Sequence, residues 1–86
     1  MDELQNLRNQ IDDIDEAVIK LLSGRLAVVQ KIAEYKNKHG LDIYQQTREA
    51  EIFKKISAGS EQSGQREYIL QIYAEILRAS RAAQKI

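Results

Sequence analysis

Eighty-six residues carry thirteen acidic and thirteen basic side chains, no cysteine and one histidine, His39. A chain this short forms one small domain that buries only about 60% of the surface its unfolded form exposes, and its zero net charge gives no general field to hold nucleic acid or an anionic membrane surface. Disulfides, thiolate metal sites and a metal centre built on the lone histidine are excluded, so any anion site must be local. No apolar run approaches the roughly 18 residues of a membrane span, and no signal-peptide pattern opens the chain. The expectation is a cytoplasmic protein with neither metal nor cofactor.

Asp2 can cap a helix, with Gln5 returning the bond in a capping box, and no stop signal precedes His39-Gly40. Helix 1 is therefore expected over about residues 2–38. At 1.5 Å per residue it spans about 54 Å, against a diameter of roughly 30 Å for a compact globule of this chain length. Read as heptads, it puts Leu4, Ile11, Val18, Arg25 and Ile32 at one seam position, and Leu7, Ile14, Leu21, Val28 and Tyr35 at the other. Nine of these ten are apolar and Arg25 is the exception. An unpaired guanidinium in such a seam is costly, so a sequence that keeps one there supplies an anion for it. A helix that overhangs any monomeric globule and carries a continuous apolar seam also needs a second chain to cover it, which predicts an intertwined antiparallel homodimer. Gly24 has two readings: a neutral position costing about 1 kcal/mol against alanine, or a mark of close helix approach beside Arg25.

Gly40 suits the residue after a helix end, and Asp42 with Gln45 offers a second capping pattern. Helix 2 is expected over about residues 43–57, starting anywhere from 43 to 47. Its stripe of Ile52, Phe53 and Ile56 extends backward through Gln45, Arg48 and Glu49. Residues 58–64 are small and polar, which suits a surface loop with Ser63 capping the next helix. Helix 3 is expected over about residues 64–85. Its stripe of Ile69, Ile72, Tyr73, Ile76 and Leu77 continues into Ser80, Ala83 and Gln84. The architecture read from the sequence is thus all-α, with three helices in a single domain over 1–86.

Each helix carries polar residues where its apolar stripe should continue. Lys36 lies eleven residues after Arg25, almost three turns, so the two cations share a face with α-carbons about 16 Å apart and could hold a small dianion between them. Taken singly, Lys36 can complement the helix dipole and Ser80 or Gln84 can be solvated; their coincidence with Arg25 argues for a site. Arg8 sits seventeen residues before Arg25, some 25 Å along the axis and too far to hold the same small ligand. If two copies of helix 1 cross antiparallel near Ala17, Val18 or one residue beyond, position 8 of one chain faces positions 28–30 of the other. Arg8 then enters the partner's site, which gives two identical composite sites per dimer. With no cysteine nucleophile, metal cluster or glycine-rich phosphate loop, the chemistry left is electrostatics and positioning. Those suffice for a unimolecular rearrangement of a small dicarboxylate.

The ordered set Leu7-Arg8-x-x-Ile11-x-x-Ile14-Asp15, Leu21-Leu22-x-x-Arg25, Lys36, Arg48-Glu49 and Ser80-x-x-x-Gln84 resembles the all-helical chorismate mutases along essentially the whole chain. The resemblance implies an intertwined dimer of three-helix subunits that converts chorismate to prephenate by a Claisen rearrangement, in the route to phenylalanine and tyrosine. It implies that Arg8 of the partner subunit and Arg25 bind the two carboxylates. Lys36 would reach a carboxylate and the ether oxygen, Gln84 would donate to that oxygen, and Glu49 would accept from the ring hydroxyl. Arg48 and Ser80 would support the polar rim. At Gln45, bacterial members carry an aspartate; a role through the backbone amide survives that change, whereas a role in orienting Arg48 by charge would weaken. The neutral amide of Gln84 needs no protonation to act, unlike the glutamate found there in other relatives. The resemblance also leaves room for fusion to, or docking on, another shikimate-pathway enzyme.

Two rival readings remain open from the sequence. Isochorismate pyruvate lyase shares the fold and a similar cationic site; Glu49 argues for the mutase. The other is a helical dimerisation or regulatory module without catalysis.

Overall fold

Asp2 starts the first helix by accepting the Gln5 backbone N–H on its carboxylate at 2.7 Å, which satisfies one of the unpartnered donors of the first turn. The Gln5 side chain does not complete the expected box; its amide donates to Asn9 at 3.0 Å instead. The computed structural model describes residues 2–59 and 63–85, and in these the chain forms α1 (Glu3–His39), α2 (Gln46–Gly59) and α3 (Ser63–Gln84). The cap expected from Ser63 depends on a side chain outside the described residues.

Gly40 ends α1 in the left-handed conformation, at φ 67°. Its N–H reaches the Asn37 carbonyl at 3.4 Å, and the Leu41 N–H reaches the Lys36 carbonyl at 2.8 Å. This is the paired bonding of a Schellman turn. It folds residues 41–45 back toward the last turn of α1. The second helix begins at Gln46, within the 43–47 range expected for its start and three residues after the earliest position that the Asp42/Gln45 pattern allows. The Gln45 carbonyl accepts the Glu49 N–H at 3.1 Å as the first bond of α2, and the Gln45 amide donates to the Asp42 carbonyl at 2.7 Å. Gln45 therefore stands just before the helix with its side chain turned back to Asp42, and the Ile43 carbonyl accepts from Lys36 instead. The expected loop over 58–64 is shorter than its composition suggested, since Gly59 still belongs to α2 and α3 has begun by Ser63.

Helix α3 packs on both other helices, while α1 and α2 make no close backbone approach to each other. The core of the single chain is very small: among the described residues only Val29, Ala33 and Leu77 are buried apolar side chains. Val29 and Ala33 stand one turn apart, on the stripe of α1 that faces α3. That stripe is not the heptad seam. All nine apolar seam residues are exposed, from Leu4 to Tyr35. Arg25 lies four residues before Val29, where the seam and the α3-facing stripe meet, and is half-buried.

The long helix gives principal extents of 56 × 26 × 15 Å and a radius of gyration of 16.3 Å, against roughly 12 Å for a compact chain of this length. Accessible surface is 7229 Å², whereas a compact monomer of this size exposes roughly 5,200 Å². Among the described residues no helix is long and apolar enough to cross a membrane.

Candidate active site

The last two turns of α3 form the hub on which the polar residues of the other helices converge. Ser80 donates its hydroxyl proton to the Ile76 carbonyl one turn back, at 2.8 Å, which leaves its oxygen lone pairs facing α1. Arg25 donates to that oxygen. One turn further, the Lys36 ammonium donates to the Gln84 side-chain oxygen at 2.8 Å and to the Ile43 carbonyl at 2.7 Å. The Schellman turn at Gly40 is what brings that carbonyl to Lys36. Because an ammonium only donates, Gln84 must turn its oxygen to Lys36 and its amide nitrogen away. That nitrogen donates to the Ser80 carbonyl at 3.2 Å. Lys36 keeps one N–H and Gln84 keeps one N–H for a ligand.

On the other flank, Arg81 donates from one guanidinium nitrogen to both Glu49 oxygens, each at 2.6 Å, and its guanidinium carbon lies 5.5 Å from the centre of the Tyr44 ring. Arg81 was not singled out from the sequence. The signal was available, since it follows Leu77 by four residues and so continues the buried stripe of α3. The Ile43 carbonyl had no sequence signal, being a backbone group placed by the turn.

Seven of the eight residues picked from the sequence line one cleft of about 190 Å³: Arg25, Lys36, Gln45, Arg48, Glu49, Ser80 and Gln84, with Arg81 beside them. Arg8 does not, because it stands on the exposed N-terminal half of α1, some 25 Å along the axis from Arg25. Arg48 is the loosest member; its side chain is 70% exposed and pairs with Glu51 at 3.4 Å. Among the described residues, the ion pairs of the chain take up Arg48, Arg78 and Arg81 but neither Arg25 nor Lys36. These two half-buried cations meet only neutral oxygens. Four cations line the cleft with a single carboxylate, Glu49, so it attracts anions. No buried side-chain polar atom among the described residues lacks a partner; the sequence anomaly at Arg25 is met by hydrogen bonding, while its charge is left uncompensated. Among those residues there is also no cluster of histidine and carboxylate side chains that could hold a metal.

A family model described as chorismate mutase type II matches residues 7–85. The chain belongs to this chorismate mutase family. It is 39% identical, over 89 aligned residues and 99% of its length, to a bifunctional chorismate mutase/prephenate dehydratase of Aquifex aeolicus, of which it spans 25%. It is 29% identical to a chorismate mutase of Methanocaldococcus jannaschii, covering 99% of this chain and 87% of that one. Its fold is similar to the structure of chorismate mutase (form II) from Thermus thermophilus, with a TM-score of 0.91 at 28% identity, covering 98% of this chain and 96% of that one. The chain spans a quarter or less of the length of the bifunctional relative and of two T-proteins that it also matches.

Proposed function

We propose that this chain is a chorismate mutase that rearranges chorismate to prephenate in the cytoplasm, as an intertwined antiparallel homodimer with no metal or cofactor. The observation that carries this reading is the pair of half-buried cations, Arg25 and Lys36, that face one cleft without a carboxylate partner, in a chain whose family model covers residues 7–85. A dianion supplies the missing negative charge. Arg25 takes one carboxylate of chorismate and Arg8 of the partner subunit takes the other. The cleft of about 190 Å³ is smaller than the roughly 300 Å³ at which ligand pockets usually begin, which suits a small substrate and a wall completed by the partner.

The reaction is unimolecular. The ether carbon–oxygen bond breaks while a carbon–carbon bond forms within the same molecule, with no proton taken up or released. Clamping both carboxylates folds the substrate so that the reacting ends meet. Negative charge grows on the ether oxygen as its bond breaks, and the remaining N–H groups of Lys36 and Gln84 donate to it there. Both groups are already held, Lys36 by the Ile43 carbonyl and Gln84 by the Ser80 carbonyl, so little reorganisation is needed. Glu49 accepts from the ring hydroxyl, and Ser80, Arg48 and Gln45 form the polar rim. The bifunctional relative supports a setting in which such a domain is fused to, or works beside, the enzyme that consumes prephenate.

Purified protein given chorismate and, separately, isochorismate tests the reading by absorbance. Loss of chorismate with formation of prephenate is expected. Salicylate formed from isochorismate with chorismate untouched would replace the mutase by a lyase, and inertness toward both would leave a non-catalytic module.

A further inference from the structure

The one carboxylate in the cleft poses an electrostatic problem that arises from the proposed function. Glu49 lines the same cavity as Arg25 and Lys36, and its side chain is only 17% exposed. A bare carboxylate there repels a dianion at close range, in surroundings where screening is weak. Arg81 meets it with both oxygens at 2.6 Å from one nitrogen, and the guanidinium is itself two-thirds covered with one face toward the Tyr44 ring. A carboxylate offers about four lone-pair sites. The contact with Arg81 occupies one on each oxygen, so Glu49 retains acceptor capacity for a hydroxyl while its charge is balanced.

We propose that Arg81 is a positioning residue for substrate binding: it neutralises and orients Glu49, so that the cleft can present a hydroxyl acceptor to a dianion without repelling it. The inference rests on the mutase reading, in which Glu49 faces the substrate hydroxyl. The alternative role for Arg81 is mechanical, as an ion pair tying α2 to α3. The two roles part on affinity. Repulsion by an unpaired Glu49 acts on the bound ligand, and it disappears when the carboxylate is also removed. Loss of a structural tie lowers stability and is not relieved by Glu49→Gln.

The test compares wild type, Arg81→Lys, Arg81→Met and the double variant Arg81→Met/Glu49→Gln. Chorismate kinetics, calorimetric binding of prephenate and thermal melting are measured on each. Arg81→Met should raise KM and weaken prephenate binding by about tenfold or more. Arg81→Lys should regain most of that loss, and the double variant should bind prephenate more tightly than Arg81→Met while turning over slowly. Unchanged affinity in Arg81→Met overturns the inference, as does a loss of affinity that Glu49→Gln fails to relieve. A wild type that binds prephenate but leaves chorismate intact sinks the mutase reading while the binding series still decides on Arg81. A wild type that binds neither dianion overturns both.

Discussion

Gln84 shows how one side chain can be fixed by its neighbours for a single task. Its oxygen is committed to the Lys36 ammonium at 2.8 Å, so the amide nitrogen is the only part that can face a ligand oxygen. A neutral amide donates at any ordinary pH, so wild-type turnover should stay flat between about pH 6 and about pH 8. Gln84→Glu changes that. Its ionised carboxylate would pair with Lys36 and could not donate, whereas the protonated acid would donate. Activity of Gln84→Glu should therefore be highest at acid pH and fall as pH rises, which a pH–rate profile of both proteins checks; parallel profiles would contradict the assigned role. At this scale the sequence was readable wherever a polar residue broke an apolar stripe, as at Arg25, Ser80 and Gln84. It was silent on the Ile43 carbonyl, because a backbone acceptor leaves no mark in the order of side chains. Arg81 is legible in the same way, four residues after Leu77 on the buried stripe of α3, but the sequence does not show the partner on another helix that gives it a role.

The elements are joined by one turn that matters for the site. Gly40 holds φ at 67°, and a Cβ there would meet no atom within 4 Å, so any cost of substitution is purely conformational. Gly40→Ala should destabilise by about 1 kcal/mol, a fall in melting temperature of about 4–8 °C in a domain this small. It should also reduce turnover, since the same turn delivers the Ile43 carbonyl to Lys36. Gly24 is the opposite case. It has ordinary helical geometry and open space around it within the chain, so a close helix approach beside Arg25 has no counterpart in the subunit. Within the subunit alone, Gly24→Ala should add about 1 kcal/mol of helix stability. Melting curves of the two variants should then move in opposite directions, and a fall in both would assign Gly24 to a close approach by the partner's α1. Helix existence was legible because apolar periodicity is a strong signal over long segments. The start of α2 was legible only as a range, 43–47, because Asp42 and Gln45 fit a capping box equally well whether the helix begins at 43 or is merely approached there; the side chain of Gln45 bonds the Asp42 carbonyl instead.

For the whole molecule, the heptad seam of α1 was legible as an apolar surface but not as to what covers it. The subunit buries Val29 and Ala33 on a neighbouring stripe and leaves the nine apolar seam residues exposed, which a single sequence cannot distinguish because, Arg25 apart, both stripes are apolar over Val18–Ile32. The proposed dimer accounts for the seam and for Arg8 together. Arg8→Ala and Lys36→Ala homodimers should each be nearly inactive. Mixed in equal amounts with exchange allowed, half the dimers carry one intact site, so about a quarter of wild-type activity should return. Absence of rescue after confirmed exchange would place Arg8 outside the partner's site.

The central claim is that the uncompensated charge at Arg25 works on a bound dianion, and turnover of Arg25→Leu measures it most directly. Removing a half-buried cation whose partner is the neutral Ser80 hydroxyl should leave the melting temperature unchanged or higher. Chorismate consumption followed by absorbance should fall by on the order of a thousandfold or more. A folded Arg25→Leu protein that consumes chorismate at the wild-type rate would contradict the account.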